Sequence, residues 1–300
     1  MAAGHGDVST VEAWLSQGGD VNHSPGNIVG PFYSSRTTLL SAAIVGSQTQ
    51  MREYLVARGA RCGKSDVYCL LEEILASPSY LEIARLLIEH GADPAMGGGN
   101  GGWGAPHKLA VLVGRNDTYL ARQARSRSAL LIRFLVEKGA PVDLRVTASE
   151  VRLGVGATPL MVAVAESAPV VYLRELLRLG ADLSATNEEG DSALSLAQSV
   201  IYDDGADGSP AAKQAVLMFI TDVSRAGTYK RYVNEPRKQL LVLLKLCERD
   251  RATAPRRGLL ARLFPSPRRR VASGIAPDRL PDVLFWKVLS FWRTSRDGPV

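Results

Sequence analysis

Four histidines, three cysteines, one glycine-rich stretch and one acidic loop are the places where this sequence could do chemistry, and their spacing gives them little to work with. His5, His23, His90 and His107 lie far apart, and none belongs to a His-Glu-x-x-His arrangement. Each reads as a surface or core residue. Cys62 and Cys69 stand seven apart with no second pair and no histidine at ligand spacing, so a zinc site is not expected. With Cys247 the count is odd, which fits reduced thiols better than a disulfide framework. Gly97-Gly98-Gly99-Asn100-Gly101-Gly102 has the composition of a flexible link but no Gly-Lys-Ser/Thr continuation that would cradle a phosphate. Tyr202 to Gly208 is acidic but lacks the ligand spacing of a calcium loop. The sequence predicts no catalytic residue, no metal, no cofactor and no small-molecule substrate, so the chain is not expected to be an enzyme.

The residues that point elsewhere are apolar and lie near the C-terminal end. Leu280, Pro281, Leu284, Phe285, Val288, Leu289, Phe291 and Trp292 fall at helical spacing behind a proline suited to a first helical turn. A stripe of this kind needs a partner surface, within the chain or outside it.

The elements that would carry such a surface are repeats. Five helix stops recur: LSQGGD at 15–20, VARGAR at 56–61, IEHGAD at 88–93, VEKGAP at 136–141 and LRLGAD at 177–182. Gly18, Gly59, Gly91, Gly139 and Gly180 each end a leucine-rich run, where a left-handed residue closes a helix. Upstream of several stops, a hydroxyl precedes an apolar run: Thr37-Thr38-Leu39-Leu40-Ser41-Ala42-Ala43, Thr158-Pro159-Leu160-Met161-Val162-Ala163 and Ser192-Ala193-Leu194-Ser195-Leu196-Ala197. Hydroxyl and Pro159 mark helix starts. Start and stop together bracket two short amphipathic helices, small residues on the first and large ones on the second.

This order of start, turn and stop resembles the ankyrin repeat over about residues 1–226, with Thr37, Thr158, Pro159, Gly59, Gly91, Gly139 and Gly180 as repeat-defining positions. The resemblance implies an all-α solenoid of about five to six helix-turn-helix units, placed at 2–22, 36–61, 68–93, 105–141, 157–182 and 191–226. It also implies a non-catalytic scaffold that binds a protein partner through its inner helices and hairpin tips, Asp20, Asp93 and Asp182 among them. Stop-to-stop distances of 41, 32, 48 and 41 residues leave three intervals with insertions, expected to be loops. The largest is Gly114 to Ser128, with Arg115, Arg122, Arg125 and Arg127, between the two helices of the fourth unit. The family's motif histidine, which ties neighbouring turns together, is replaced by Leu40, Glu72, Lys108, Met161 and Ser195. Without it a less regular stack, held mostly by burial, is expected to unfold broadly or in steps. The first unit opens at Ala2, in the middle of the repeat pattern, which reads either as a frayed end or as a shortened chain.

Beyond the repeats the charge changes sign. Residues 1–224 carry 18 Lys+Arg against 24 Asp+Glu, and residues 225–300 carry 18 against 6. Asn234-Glu235-Pro236 reads as a helix start, opening a closing helical segment within 227–252. Residues 253–276, with Arg256, Arg257, Arg262 and Arg268 to Arg270 among prolines, read as a basic linker, with nuclear import or contact with an acidic partner as functional options. Nucleic acid is not expected, since no stacking aromatics or recognition helix accompany the arginines. The segment 277–300 resembles the opening helix of an F-box. That resemblance implies a substrate-recognition adaptor of a cullin-based ubiquitin ligase; the other reading is a helix folded back on 235–249. No membrane-spanning run is present, and a cytoplasmic or nuclear protein is expected.

Overall fold

The structure, a computed structural model, describes residues 2–23, 37–97, 103–114, 119–147, 153–201 and 209–248. The F-box-like residues, the basic linker, the acidic loop at 202–208 and most of the glycine-rich stretch lie outside them. Among the described residues the fold is all-helical, with one isolated β-bridge between Thr186 and Ser192. The chain divides into two units, 1–221 and 222–300.

The first unit is built from helix pairs. They are α1 (Ala2–His5) with α2 (Val8–Ser16), α3 (Leu39–Val45) with α4 (Thr49–Ala57), the short α5 (Asp66–Cys69) and α6 (Leu71–Ala76) with α7 (Tyr80–Glu89), α8 (Ala105–Gly114) with α9 (Tyr119–Glu137), and α10 (Pro159–Ala165) with α11 (Val170–Arg178). α12 (Ala193–Val200) follows as a further first helix, and α13 (Pro210–Ala226) runs from the first unit into the second. First helices pack on first helices, α1 on α3, α6 on α8, α8 on α10 and α10 on α12, while α9 lies against α7 and α11. This is an ankyrin-type solenoid.

Capping explains where the first helices begin. Thr38, Thr158 and Ser192 each have extended backbone and accept a hydrogen bond from the amide three residues on, at Ser41, Met161 and Ser195. The repeat-defining hydroxyl of the second unit is therefore Thr38 and not Thr37. With the cap at Thr38, the motif-histidine position in that unit is Ser41 and not Leu40. Gly59, Gly91, Gly139 and Gly180 have φ of +77°, +106° or similar left-handed values and close α4, α7, α9 and α11.

The expected loop in the fourth unit is corrected. From Tyr119 onward the insertion is helical: α9 runs 19 residues, and two of its arginines find helix ends to cap. The Arg127 guanidinium donates to the carbonyls of Leu75 and Ser77, at the C-terminal end of α6, and Arg125 Nε donates to Val113 O (3.3 Å) near the end of α8. Orphan carbonyls at a helix end favour such cations.

The described core of the first unit is continuous. Leu40, Met51, Leu55, Leu71, Ile74, Leu87, Leu109, Leu131, Leu160 and Leu176 are fully buried. Tyr172 is buried with its hydroxyl donating to Pro106 O (3.3 Å), and Arg133 pairs with the buried Glu175 at 2.8 Å between α9 and α11.

In the second unit α14 spans Tyr229–Glu248. Thr228 Oγ1 accepts from Arg231 N, so the helix starts at a threonine after Gly227. The reading of Asn234-Glu235-Pro236 as a helix start is overturned: Pro236 lies inside α14. Tyr232, Arg237, Leu244 and Cys247 are its buried side chains.

Candidate protein-binding interface

Between successive helix pairs the chain makes hairpin tips, and an aspartate two residues after the stop glycine folds three of them. Asp20 Oδ1 accepts from Asn22 N (2.9 Å), Asp93 Oδ1 from Ala95 N (2.8 Å), and Asp182 Oδ1 from Ser184 N (2.8 Å) and Ser184 Oγ (2.6 Å). A short carboxylate that hydrogen-bonds two residues ahead imitates a backbone turn. These side chains, named from sequence as candidate contacts, are thus occupied in shaping the tips. The Asp182 carboxylate is held below its usual range by its bonds to Ser184.

Neighbouring tips are tied to each other. Asn22 Oδ1 accepts from Arg61 N (2.7 Å), linking the first and second. Cys62 N donates to His90 O (2.9 Å) and Asp93 N to Lys64 O (2.8 Å), linking the second and third. Lys108 Nζ donates to Tyr68 O (3.1 Å) and Cys69 O (3.4 Å), lies 3.6 Å from Glu72, and joins the third unit to the fourth. Asp182 N lies 3.1 Å from both Asp143 carboxylate oxygens, and Arg145 Nη1 donates to Thr186 O (2.9 Å). Asn187 Nδ2 donates to Leu153 O (2.7 Å) and Glu188 N to Val155 O (2.9 Å).

The deepest tie is His107, fully buried beside Trp103 with ring centroids 5.6 Å apart. Its Nδ1 accepts from Gly104 N (3.2 Å) and its Nε2–H donates to Ala157 O (3.3 Å), in the next unit. Burial lowers its pKa to about 4, so the ring is neutral, with one nitrogen accepting and the other donating. α8 begins at Ala105 after Gly104, so His107 stands three residues past the cap, as Met161 does past Thr158: the motif histidine, expected to be replaced by Lys108 in this unit, is present at His107. The stack is held by a polar network as well as by burial. The sequence reads His107 as a surface or core residue; it lies in the core, and its place three residues after Gly104 was the available signal for its role as a tie.

Of the other residues weighed for chemistry, His5 and His23 are exposed and His90 ends α7. Cys62, Cys69 and Cys247 are all free and buried. Among the described residues no group of three or more His, Cys, Asp or Glu side chains could hold a metal ion, and no helix is long and apolar enough to cross a membrane. What the tips leave outward are charged side chains: Arg58, Arg61, Lys64, Arg145, Glu188 and Glu189 are exposed. Arg58 lies over the Tyr54 ring (3.7 Å) and 3.8 Å from Glu12.

The described tips form a row of charged side chains along a stack of helix pairs. Residues 155–188, which run from α10 through α11 and its tip, match the ankyrin repeat family model. No curated protein matches the chain. Among solved structures, an ankyrin repeat domain from Acinetobacter baumannii AYE is similar at 19% identity, covering 74% of this chain and 96% of that one, with a TM-score of 0.43. The human ASB11 ankyrin repeat domain is similar at 21% identity, covering 73% and 95%, with a TM-score of 0.35. A chain in the structure of the Bd0816 predatory endopeptidase from Bdellovibrio bacteriovorus in complex with immunity protein Bd3460 is similar at 18% identity, covering 73% and 94%, with a TM-score of 0.40.

Proposed function

We propose that this protein is a non-catalytic scaffold whose array of hairpin tips binds a protein partner. Ankyrin repeats are in general protein-protein interaction modules, and fold alone does not name the partner. The single observation that carries the reading is the tied row of tips. Bonds between neighbouring tips fix the backbone that carries the exposed Arg61, Lys64 and Glu188 before any partner arrives. A preordered backbone loses less entropy on binding than a free one. Affinity capture from native cells with the full chain, and with Arg61→Glu, Lys64→Glu and Glu188→Lys combined, tests it. A reproducible partner retained by the first and lost by the second is expected. The same partner retained equally by both counts against the tips as the contact.

A second reading is favoured by Leu280, Pro281, Leu284, Phe285, Val288, Leu289, Phe291 and Trp292. If this stripe recruits a cullin adaptor, the array selects the substrate of a ubiquitin ligase. Co-purification of the adaptor with the full chain, abolished by Leu284→Asp or Leu289→Asp, is the expected result. No adaptor in the native eluate removes this reading and leaves the scaffold intact.

A further inference from the structure

Asp66 opens α5 and is fully buried between the first helix of the second unit and the hairpin entering the third. Its Oδ2 accepts three hydrogen bonds, from the Ser41 hydroxyl, from Thr38 Oγ1 (3.2 Å) and from Gly63 N (2.7 Å). Its Oδ1 accepts none among the described residues.

The elements packed around it bring no counter-ion among the described residues. The start of α3 brings the hydroxyls of Thr38 and Ser41 and the Thr38 backbone amide, all neutral donors. The hairpin brings the Cys62 thiol and the exposed Lys64, and α5 itself carries Tyr68 and Cys69. Lys108 of α8 spends its ammonium on the Tyr68 and Cys69 carbonyls and on Glu72 of α6. Glu73, also on α6, adds a second half-buried carboxyl, and on α7 Glu82, Arg85 and Glu89 pair with one another at the surface. A buried carboxylate with neutral donors and no cation is an uncompensated charge, which a fold avoids by protonation or by opening to water.

We infer that the joint between the second and third units is a proton-operated latch, closed when the Asp66 carboxyl carries a proton on Oδ1 and loosened when that carboxyl ionises. Closing takes one proton from solvent onto the oxygen that has no donor, and Oδ2 keeps its three bonds. Burial pushes the Asp66 carboxyl above its usual range, and it pushes the adjacent Cys62 thiol up to about 12, so the thiol stays neutral throughout. Because the folded-state value lies above the unfolded one, the proton's stabilisation is complete below about pH 4 and is lost as pH rises through the raised value. Loosening acts on a tip that Cys62 and Lys64 tie to His90 and Asp93, so it moves the edge of the array.

Hydrogen exchange on the full chain, corrected for the intrinsic pH dependence of exchange, tests the latch. The amides of 62–76 are expected to lose about fivefold or more in protection between pH 5 and pH 8, while those of α11 hold. Asp66→Asn, a neutral carboxamide whose oxygen can still accept the three bonds, is expected to keep high protection at both pH values. Unchanged wild-type protection from pH 5 to 8, or an Asp66→Asn chain less protected than wild type at pH 8, overturns the inference. Should that variant not fold, the carboxyl carbon resonance of Asp66 in the wild-type chain decides. A midpoint clearly above that of an ordinary aspartate supports the latch, and one at or below about 4 overturns it.

Discussion

His107 and Asp66 are both fully buried titratable side chains at joints between repeats, and they respond to pH in opposite senses. His107 has its pKa lowered to about 4 from an ordinary 6.5, so the unfolded chain binds the proton first. Its contribution is complete above about pH 6.5 and is lost as pH falls toward 4, a difference of about 3 kcal/mol at most. Protonation puts a hydrogen on Nδ1 where Gly104 N donates, which breaks the tie at its accepting end. The expected outcome is an acid-side loss of stability, read by denaturant titration at pH 7 and pH 4.5. His107→Ala should be about 3 kcal/mol less stable than wild type at pH 7, with that difference shrinking at the lower pH. An equal difference at both pH values would show that the imidazole is not the titrating group. Ser167 is the opposite case, a residue the fold tolerates at a cost. It has φ +53°, and its buried hydroxyl has no partner among the described residues. Ser167→Gly relieves the left-handed strain and removes the unpaired group, and should raise stability by about 1 kcal/mol in the same titration.

At the scale of the element, the first helices come close enough that side chains decide their spacing. A Cβ on Gly46, at the end of α3, would collide with the carbonyl oxygen of Gly4 in α1, and one on Gly114, at the end of α8, with that of Glu166 after α10. Gly46→Ala should therefore cost about 2 kcal/mol, seen as faster hydrogen exchange in α1 and α2 with α10 and α11 unchanged. Helix stops and starts were the part of the fold that could be read directly from sequence, because a hydroxyl cap and a left-handed glycine are local requirements of one to four residues. Where the reading failed, a tertiary partner had intervened. The insertion after Gly114 looked like a loop, but Arg127 caps α6 across the stack and Arg125 caps α8, which rewards a helix there. Pro236 looked like a start, but the cap at Thr228 begins α14 earlier and the proline is carried inside it. Inter-repeat bonds through His107 and Asp66 link residues 50 and 25 to 28 apart, a separation that periodicity does not report.

For the whole molecule, a stack whose units touch mainly their neighbours has a stability that is roughly a sum of unit and joint terms. Joints here differ in chemistry, one resting on a buried imidazole and another on a buried carboxyl without a counter-ion. Denaturant unfolding at neutral pH, followed by both helical signal and tyrosine fluorescence, should show more than one phase; a single sharp transition with coincident probes would contradict this. The residues proposed to bind were only partly legible. Charged tips follow from the repeat pattern, whereas which charges remain outward depends on which aspartates the turns consume, as Asp20, Asp93 and Asp182 are consumed. The most direct test of the central claim is affinity capture from native cells with three full-length or near-full-length baits: wild type, the chain lacking residues 277–300, and the combined Arg61→Glu, Lys64→Glu, Glu188→Lys variant. A scaffold that binds through its tips keeps one partner in the first two and loses it in the third. A partner lost with residues 277–300 and kept by the tip variant would contradict it.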